Sequence, residues 1–271
     1  MGILASMCIV LAAAAALEAG TPPAPKRSTQ YGHTRLDFDV PGGRGFIILP
    51  KEKRAEGQRP WVWYAPAIGA HPNANNGWML SRLLAKGFAV CGCNVGESHG
   101  NPRGVRAYDA FYAHVVQHYG LAARACLLPQ SRGGLMLYNW AATGRNAARV
   151  ACIGGIYPVC DLASWPGLQG ATRAYGMTVA ELRKCQTDHN PIDRLAPIAN
   201  ARVPILHIHG DADRVVPLKA NSAELARRYK ALGGAMDVIV VPGKGHAEIP
   251  EFFHSQRLLD FFLTHGPAPG R

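Results

Sequence analysis

Runs of apolar residues alternate along the chain with stretches of helical periodicity. Near-continuous apolar, β-branched or aromatic runs predict strands at 46–49, 61–64, 88–93, 125–128, 150–156, 205–208 and 238–241. Apolar residues at helical spacing predict helices at 77–85, 108–119, 134–142, 219–232 and 251–264. Strands that are apolar at successive positions are buried on both faces. The alternation therefore predicts an α/β fold with a mostly parallel central sheet, helices on both faces and right-handed crossovers.

Two segments depart from this alternation. In the segment 33–49, a Pro41-Gly42-Gly43 turn separates two strand-like runs, which predicts an antiparallel hairpin at one edge of the sheet. Residues 157–202, between two predicted strands, are too many for a simple crossover. In an open α/β sheet such an insertion lies above the strand ends, where ligands bind. We therefore expect one domain over 31–271 with a short cap insertion at about 157–202.

The first twenty residues contain an apolar stretch from Ile3 to Leu17 that is too short to span a bilayer comfortably and ends near small residues. This pattern predicts a cleaved signal peptide over 1–20, although no Lys or Arg precedes the apolar run. Residues 21–30, rich in Pro and Lys at their start, predict a linker. The expected location is periplasmic or secreted, without stable membrane insertion, and cytoplasmic if the apolar segment is not cleaved.

The net charge and the cysteine content exclude few classes of function. The chain has 29 Lys and Arg against 18 Asp and Glu, a net charge of +11, which permits an anionic partner. The basic residues are scattered and no finger or RNA-binding motif is visible, so no nucleic-acid partner is expected. Of the seven cysteines, Cys160 and Cys185 lie in the less regular segment and are candidates for a disulfide.

Two serines compete as a candidate nucleophile. A GESHG segment places Ser98 in a GxSxG pattern, but the residues that follow it are predicted to form a loop. Ser131 follows a predicted strand and precedes a predicted helix, which is the context that a nucleophile elbow requires. Gly133 and Gly134 are the small residues needed on the helix side, while Pro129 replaces the usual first glycine. Ser131 is the predicted nucleophile, with Ser98 or a non-catalytic turn as the alternatives.

A serine hydroxyl needs a base that is itself oriented by an acid. The sequence offers Asp213 in the segment HGDADRVVP, after the strand 205–208, and His246 in GKGH, after the strand 238–241. Asp211 is an alternative acid, although the first aspartate of such a motif tends to cap the turn. Asp161 is a further alternative, because some proteins place the acid after the equivalent strand.

The order Ser131, Asp213, His246, together with the motifs HGxxDxxVP and GxGH, resembles the α/β-hydrolase superfamily and within it the dienelactone-hydrolase-like and prolyl-oligopeptidase-like serine hydrolases. The resemblance covers roughly residues 61–262. It implies the α/β-hydrolase fold. It also implies that Ser131 is the nucleophile, that His246 is the general base and acid, and that Asp213 orients the imidazole.

A tetrahedral intermediate needs two donors, normally the backbone N–H after the nucleophile and one from the loop after the third strand. These are Arg132 and Ala67, or Ile68 if the register shifts by one. The Arg132 side chain has two possible roles. It adds a charged donor to the oxyanion, as in glucuronoyl esterases, which have a similar serine-arginine pair, or it pairs with an acidic neighbour such as Glu97 or Asp109.

These patterns predict an exported serine hydrolase that cleaves a carboxylic ester through an acyl-enzyme. The expected substrate is a small-molecule or carbohydrate-linked ester, including acidic esters, and no cofactor is expected. No metal is expected, because the histidines show no paired-ligand spacing, and His207 and His209 are interpreted as hydrogen-bonded core residues. The alternatives are a peptidase of the prolyl-oligopeptidase type, whose large propeller domain the sequence lacks, and a catalytically inactive binding module. The sequence predicts no oligomeric state.

Overall fold

A computed structural model describes residues 24–51 and 58–267. Within them, the strands are β1 (Lys26–Gln30), β2 (His33–Val40), β3 (Gly43–Leu49), β4 (Trp61–Ala65), β5 (Ala89–Asn94), β6 (Ala125–Pro129), β7 (Val150–Ile156), β8 (Ile205–Gly210) and β9 (Met236–Val241). The α-helices are α1 (Gly77–Ala85), α2 (Pro102–Tyr119), α3 (Gly133–Ala141), α4 (Gly167–Tyr175), α5 (Val179–Lys184), α6 (Ala196–Asn200), α7 (Ser222–Ala231), α8 (Pro250–Phe253) and α9 (Gln256–His265).

The strands form one sheet in the order β1-β2-β3-β5-β4-β6-β7-β8-β9. The pairs β1/β2, β2/β3 and β3/β5 are antiparallel. All pairs from β5/β4 to β8/β9 are parallel. The predicted mostly parallel sheet and the antiparallel hairpin β2/β3 are therefore confirmed, but β1, and not the hairpin, forms the edge of the sheet.

Residues on alternate positions of β4 enter two different cores. Trp61 and Trp63 belong to a core that includes side chains of α2, α3 and α7. Val62 and Tyr64 belong to a core that includes side chains of α1 and α9. All four are fully buried. Helices therefore cover both faces, which is why the strand reads as a continuous apolar run.

The prediction of a linker over 21–30 is wrong for Lys26–Gln30, which pair with β2 along their whole length. The five residues KRSTQ are polar and nearly all exposed. A strand at the sheet edge is held by its main-chain hydrogen bonds and needs no apolar side chains. The apolar periodicity that identified the other strands is absent here for that reason.

Two predicted helices show the largest differences from the structure. Helix α2 begins at Pro102 rather than 108, because the Asn101 side chain accepts a hydrogen bond from the Gly104 N–H and Pro102 stands at the first helical position. The loop expected after the GESHG segment is therefore a helix N-terminus. The predicted helix 251–264 is divided into α8 and α9, because the Ser255 hydroxyl caps a new helix by accepting from Leu258 N–H.

Residues 157–202 form α4, α5, α6 and two short 3₁₀ turns between β7 and β8. Apolar side chains of this insertion form a separate cluster with Leu135 of α3 and with Val216. The insertion is thus packed against both the helix that follows Ser131 and the loop that carries Asp213. Its role as a cap stays a prediction.

The described cysteines, including Cys160 and Cys185, are free thiols, so the candidate disulfide does not form in this structure. Cys160 is buried, and the Cys185 thiol lies 3.8 Å from the sulfur of Met177. The predicted signal peptide over 1–20 lies outside the described residues. No helix within the described residues is both long and apolar enough to cross a membrane.

Candidate active site

Ser131 lies on the tight turn between β6 and α3. Its φ is +49°, in the left-handed region that residues other than glycine seldom adopt. Two hydrogen bonds hold this conformation: Ser131 N–H donates to Ile156 O at 3.0 Å, and Ser131 O accepts from Val159 N–H at 2.8 Å. A strained residue held by its surroundings between a strand and a helix has the backbone geometry of a nucleophile elbow.

The two glycines after Arg132 allow α3 to approach its neighbours. A Cβ atom on Gly133 would lie 2.1 Å from Ala65 O, and one on Gly134 would lie 2.2 Å from Val159 O. Both distances are far below van der Waals contact and involve backbone atoms. The elbow can therefore close only with glycine at these positions.

The structure brings the three predicted side chains together. Ser131 Oγ lies 2.9 Å from His246 Nε2, and His246 Nδ1 lies 2.7 Å from Asp213 Oδ2. Because the carboxylate can only accept, His246 Nδ1 carries the proton in the neutral imidazole. His246 Nε2 is then the acceptor that faces the serine hydroxyl, which is the arrangement a general base needs.

The Asp213 carboxylate is buried and fully hydrogen-bonded. Its Oδ1 accepts from Val215 N–H at 2.9 Å and from Val216 N–H at 2.8 Å. Burial by itself raises the pKa of this carboxyl, but the hydrogen bonds from His209, His246 and Val216 outweigh it and hold the pKa well below its usual range. Asp213 therefore stays ionised at neutral pH.

The alternative residues occupy other positions. Asp211 caps the turn, since it accepts from Gly243 N–H at 2.6 Å, and Asp161 accepts from the Asn190 side chain. Ser98 is buried, and its hydroxyl oxygen accepts from Gly100 N–H at 3.3 Å. Among the described residues, no histidine is hydrogen-bonded to Ser98.

Behind Asp213, the buried side chains of His209, Ser222, His207 and Tyr138 form a chain of hydrogen bonds. When both histidines are neutral, every donor and every acceptor in this chain is fixed. Val216 O can only accept, so His209 Nε2 carries a proton and His209 Nδ1 accepts from Ser222 Oγ–H. Having one proton, Ser222 must accept from His207 Nδ1–H at 2.9 Å. His207 Nε2 then accepts from Tyr138 O–H at 2.7 Å.

This chain supports the candidate triad from inside the protein. His209 Nε2 lies 3.4 Å from Asp213 Oδ2, so it also contributes positive potential beside the carboxylate. Burial lowers the pKa of His207 to about 3, so the ring is neutral at ordinary pH. The interpretation of His207 and His209 as hydrogen-bonded core residues is confirmed.

Two of the predicted oxyanion donors lie near Ser131. Arg132 follows it directly, and Arg132 N–H donates to no acceptor among the described residues. Ile68 contributes to the wall of the cavity that contains Ser131, whereas Ala67 belongs to the buried core under α1. The assignment of the second donor to Ala67 or Ile68 stays a prediction.

The Arg132 side chain pairs with Glu97, which is the second of its two possible roles. Its guanidinium carbon also lies 5.3 Å from the centre of the Trp165 ring. Asp109, the other candidate partner, accepts instead from Trp140 Nε1–H and the Asn146 amide. In this structure the guanidinium thus contacts Glu97 and Trp165 and does not act as a charged donor to an oxyanion.

A cavity of about 470 Å³, here called the catalytic cavity, contains the candidate triad serine and histidine. Its wall also includes Glu248, a residue that the sequence analysis missed. Glu248 accepts hydrogen bonds from the side-chain amides of Asn73, Asn75 and Gln130. Burial by itself raises the pKa of Glu248. These hydrogen bonds and nearby His71 outweigh that effect and hold the pKa below its usual value, so the carboxylate is ionised at neutral pH.

The geometry and topology define an α/β-hydrolase with a serine nucleophile elbow. The chain belongs to the prolyl oligopeptidase family, whose model matches residues 108–265. It is thus a serine hydrolase of that family. No curated protein matches the sequence.

Several solved structures are similar to the chain. Puromycin hydrolase is 19% identical, with a TM-score of 0.65 over 89% of this chain and 39% of its own. An S-formylglutathione hydrolase from Agrobacterium tumefaciens is 14% identical, with a TM-score of 0.67 over 89% of this chain and 97% of its own. A truncated carbohydrate esterase from gut microbiota is 20% identical, with a TM-score of 0.66 over 92% of this chain and 98% of its own. At these identities the likeness shows the fold, and the chain spans well under half of the puromycin hydrolase.

The close approach at the elbow predicts that Gly134→Ala destabilises the protein. The new methyl group must displace the backbone at Val159, so we expect the free energy of unfolding to fall by about 1–3 kcal/mol. Gly245→Ala is the control, because the nearest atom to its new Cβ is Ala212 O at 3.7 Å. Urea unfolding of both variants measures the effect, and equal losses would contradict the steric argument.

The low pKa of His207 predicts a pH-dependent contribution to stability. A histidine in the unfolded chain binds a proton below about pH 6.5, whereas the folded ring stays neutral down to about 3. Stability from this residue is therefore complete above about pH 6.5 and decreases by up to about 1.4 kcal/mol per unit as the pH falls towards 3.

His207→Gln tests this linkage, because the amide can donate to Ser222 and accept from Tyr138 without titrating. We expect the difference in unfolding free energy between wild type and variant to change by about 2 kcal/mol between about pH 7.5 and pH 5, in favour of the variant at pH 5. Urea unfolding at the two pH values measures it. A difference that is constant with pH would refute the assignment.

Proposed function

We propose that the protein is a carboxylic ester hydrolase that works through an acyl-enzyme. The observation that carries this proposal is the continuous hydrogen-bonded series of Ser131, His246 and Asp213 at a strained elbow. In this mechanism Ser131 is the nucleophile, His246 is the general base and acid, and Asp213 orients the ring. The residues themselves supply all the groups that the reaction needs, without a metal or cofactor.

The first half of the reaction forms the acyl-enzyme. Ser131 Oγ attacks the ester carbonyl carbon while its proton passes to His246 Nε2. The carbonyl oxygen becomes an oxyanion, which the Arg132 N–H and a second N–H from Ala67 or Ile68 stabilise. Collapse of the tetrahedral intermediate breaks the carbon–oxygen bond, and the leaving alcohol takes the proton from His246.

The second half releases the acid. Water gives a proton to His246 and attacks the acyl carbon. When the second tetrahedral intermediate collapses, the bond between the acyl carbon and Ser131 Oγ breaks, and His246 returns the proton to Ser131 Oγ. In both halves the His246 imidazolium is stabilised by Asp213, whose low pKa keeps it from taking the proton. The buried hydrogen bonds to Asp213 keep it in position through both steps.

The similar structures include a carbohydrate esterase and a dipeptidyl peptidase, so they bear on both substrate classes. The similar S-formylglutathione hydrolase and carbohydrate esterase have nearly the extent of this chain, which covers 97% and 98% of them. The similar puromycin hydrolase and a dipeptidyl peptidase 4 from Porphyromonas gingivalis are much longer, with 39% and 36% covered. Peptidase activity of the prolyl-oligopeptidase type is the second candidate, favoured by the family itself.

Three further parts of the proposal rest on the sequence alone. We propose export, from the apolar stretch in residues 3–17. We also propose that the 157–202 insertion caps the substrate, that the substrate is a small-molecule or carbohydrate-linked ester, and that the protein has no nucleic-acid partner.

A panel of p-nitrophenyl esters and aminoacyl or dipeptidyl p-nitroanilides tests the reaction. Faster turnover of the anilides would replace the esterase proposal by the peptidase.

Ser131→Ala is expected to lower ester hydrolysis by several orders of magnitude and to abolish labelling by a fluorophosphonate, because no other group can form the acyl-enzyme. Ser98→Ala is the matched control, since its hydroxyl makes a local hydrogen bond to Gly100 N–H. It should reduce the rate by less than about tenfold. Labelling of Ser131→Ala together with loss of labelling in Ser98→Ala would identify Ser98 as the nucleophile.

Asp213→Asn is expected to lower kcat by about 10⁴-fold, because an amide N–H facing His246 Nδ1 selects the wrong tautomer. Asp211→Asn, two residues away, keeps an oxygen that can accept from Gly243 N–H. This control should retain kcat within about tenfold and change mainly the stability. Steady-state kinetics of both variants distinguishes the two aspartates, and a larger loss in Asp211→Asn would reverse the assignment.

A further inference from the structure

A second cavity, of about 580 Å³, lies next to the catalytic cavity. The GESHG segment, which failed as a nucleophile elbow, forms part of its wall through Glu97, Ser98 and His99. The start of α2 contributes Arg103, and α4 of the insertion contributes Arg173. We call this space the arginine cavity. The segment between β5 and α2 therefore lines a cavity other than the one that contains Ser131.

The arginine cavity has an excess of positive charge. Arg103 and Arg173 are exposed at its wall, and neither forms an ion pair with a carboxylate of the described residues. Glu97, the acid on the same wall, is already paired with Arg132. Two guanidinium groups thus remain uncompensated. Guanidinium forks match the geometry of a carboxylate, with which they form paired hydrogen bonds.

The arginine cavity adjoins the candidate reaction centre through a single ion pair. Glu97 lines the arginine cavity, and its partner Arg132, the residue after Ser131, lines the catalytic cavity. A substrate whose ester group lies at Ser131 can therefore reach Arg103 and Arg173 by extending past this pair and the adjacent Trp165 ring, which packs against Arg132 and His99.

The two cavities differ in charge in a way that orients such a substrate. The ionised Glu248 lies in the wall of the catalytic cavity, where it repels a negative group. The two unpaired arginines attract one in the arginine cavity. In addition, His99 lines the arginine cavity, and its buried Nδ1 has no hydrogen-bond partner among the described residues.

We propose that the arginine cavity binds a carboxylate carried by the ester substrate, so that the enzyme prefers esters that keep a free carboxylate, such as uronic acids acylated on a hydroxyl group or dicarboxylic half-esters. Arg103 and Arg173 hold the carboxylate while Ser131 attacks the ester carbonyl at the other end. This rests on the proposed esterase function. The ligand is defined by its chemistry: an anionic oxygen group joined to the reacting ester by a linker that spans the Arg132–Glu97 pair.

Kinetics with matched esters tests the proposal. The p-nitrophenyl half-esters of dicarboxylic acids with about four to ten carbons are compared with neutral p-nitrophenyl esters of the same acyl length. In wild type, kcat/KM for the acidic ester should exceed that for the neutral ester at one or more lengths. In the double variant Arg103→Gln/Arg173→Gln this ratio should fall at least about tenfold, with the neutral ester within about twofold of wild type.

The control variant Arg106→Gln/Arg183→Gln removes the same net charge from two exposed arginines on α2 and α5. It separates local binding from general attraction of an anion by a basic protein. Its acidic-to-neutral ratio should stay within about twofold of wild type. A ratio that falls equally in both double variants, or that is unchanged in the cavity variant, would overturn the proposal.

Calorimetric titration with sodium glucuronate gives a readout that does not need turnover. Glucuronate should bind wild type and the Arg106/Arg183 control alike, and the Arg103/Arg173 variant at least about fivefold more weakly. If wild type hydrolyses none of the esters but glucuronate binding shows these differences, the proposed esterase function is refuted and the anion-binding site is supported. Absence of a difference in binding between the two double variants would refute the site itself. Binding without an effect on the ester ratio would exclude a role in substrate selection.

Discussion

The site depends on one close approach, that of α3 to the sheet at the elbow. Gly133 lies against Ala65 O and Gly134 against Val159 O, at distances that no side chain permits. This contact forces the chain to reverse direction within two residues, and Ser131 takes the left-handed conformation that results. The hydrogen bonds of Ser131 to Ile156 and Val159 offset part of the cost of that conformation. The hydroxyl is thereby held at the end of the sheet with little freedom.

The parallel register of the last strands brings the other groups to the same end. β8 and β9 pair over their whole length, from Ile205/Met236 to Gly210/Val241, so the loops that follow them begin side by side. The hydrogen bond from Gly243 N–H to Asp211 joins these loops directly. Inside the protein, the chain from Tyr138 to His209 fills the space behind the acid with satisfied polar groups. Because that chain has a single direction, a change that removes the donor or the acceptor of any member leaves a buried group unpaired.

The sequence was sufficient for features that depend on local pattern. The strand–turn–helix context of Ser131 and the loops carrying Asp213 and His246 follow from periodicity and turn residues within a few positions. The edge strand β1 has no such pattern, because its main-chain hydrogen bonds hold it without apolar burial. The beginning of α2 at Pro102 was missed because its signals are a side-chain cap and a proline, not an apolar repeat.

Features that join distant parts of the chain without a recognised motif could not be predicted. Glu248 is held by Asn73, which lies 175 residues earlier, and no spacing rule connects the two. The arginine cavity likewise combines a helix start near 103 with an insertion helix near 173. The candidate disulfide failed for a related reason: both cysteines lie in one irregular segment, but that segment folds into helices that leave the two thiols in different surroundings.

The pairing of Arg132 with Glu97 explains an arginine beside the nucleophile without a charged oxyanion donor. The two side chains are 37% and 41% exposed, so water screens the pair and its net stabilisation is at most about 1 kcal/mol. The ion pair between the two cavities can therefore be broken at a small cost in free energy. Displacement of Asp213 from its buried hydrogen bonds would cost several times more, because it would leave a buried charge without partners. The candidate site thus combines a buried, fully hydrogen-bonded acid with a solvent-screened ion pair beside the candidate nucleophile.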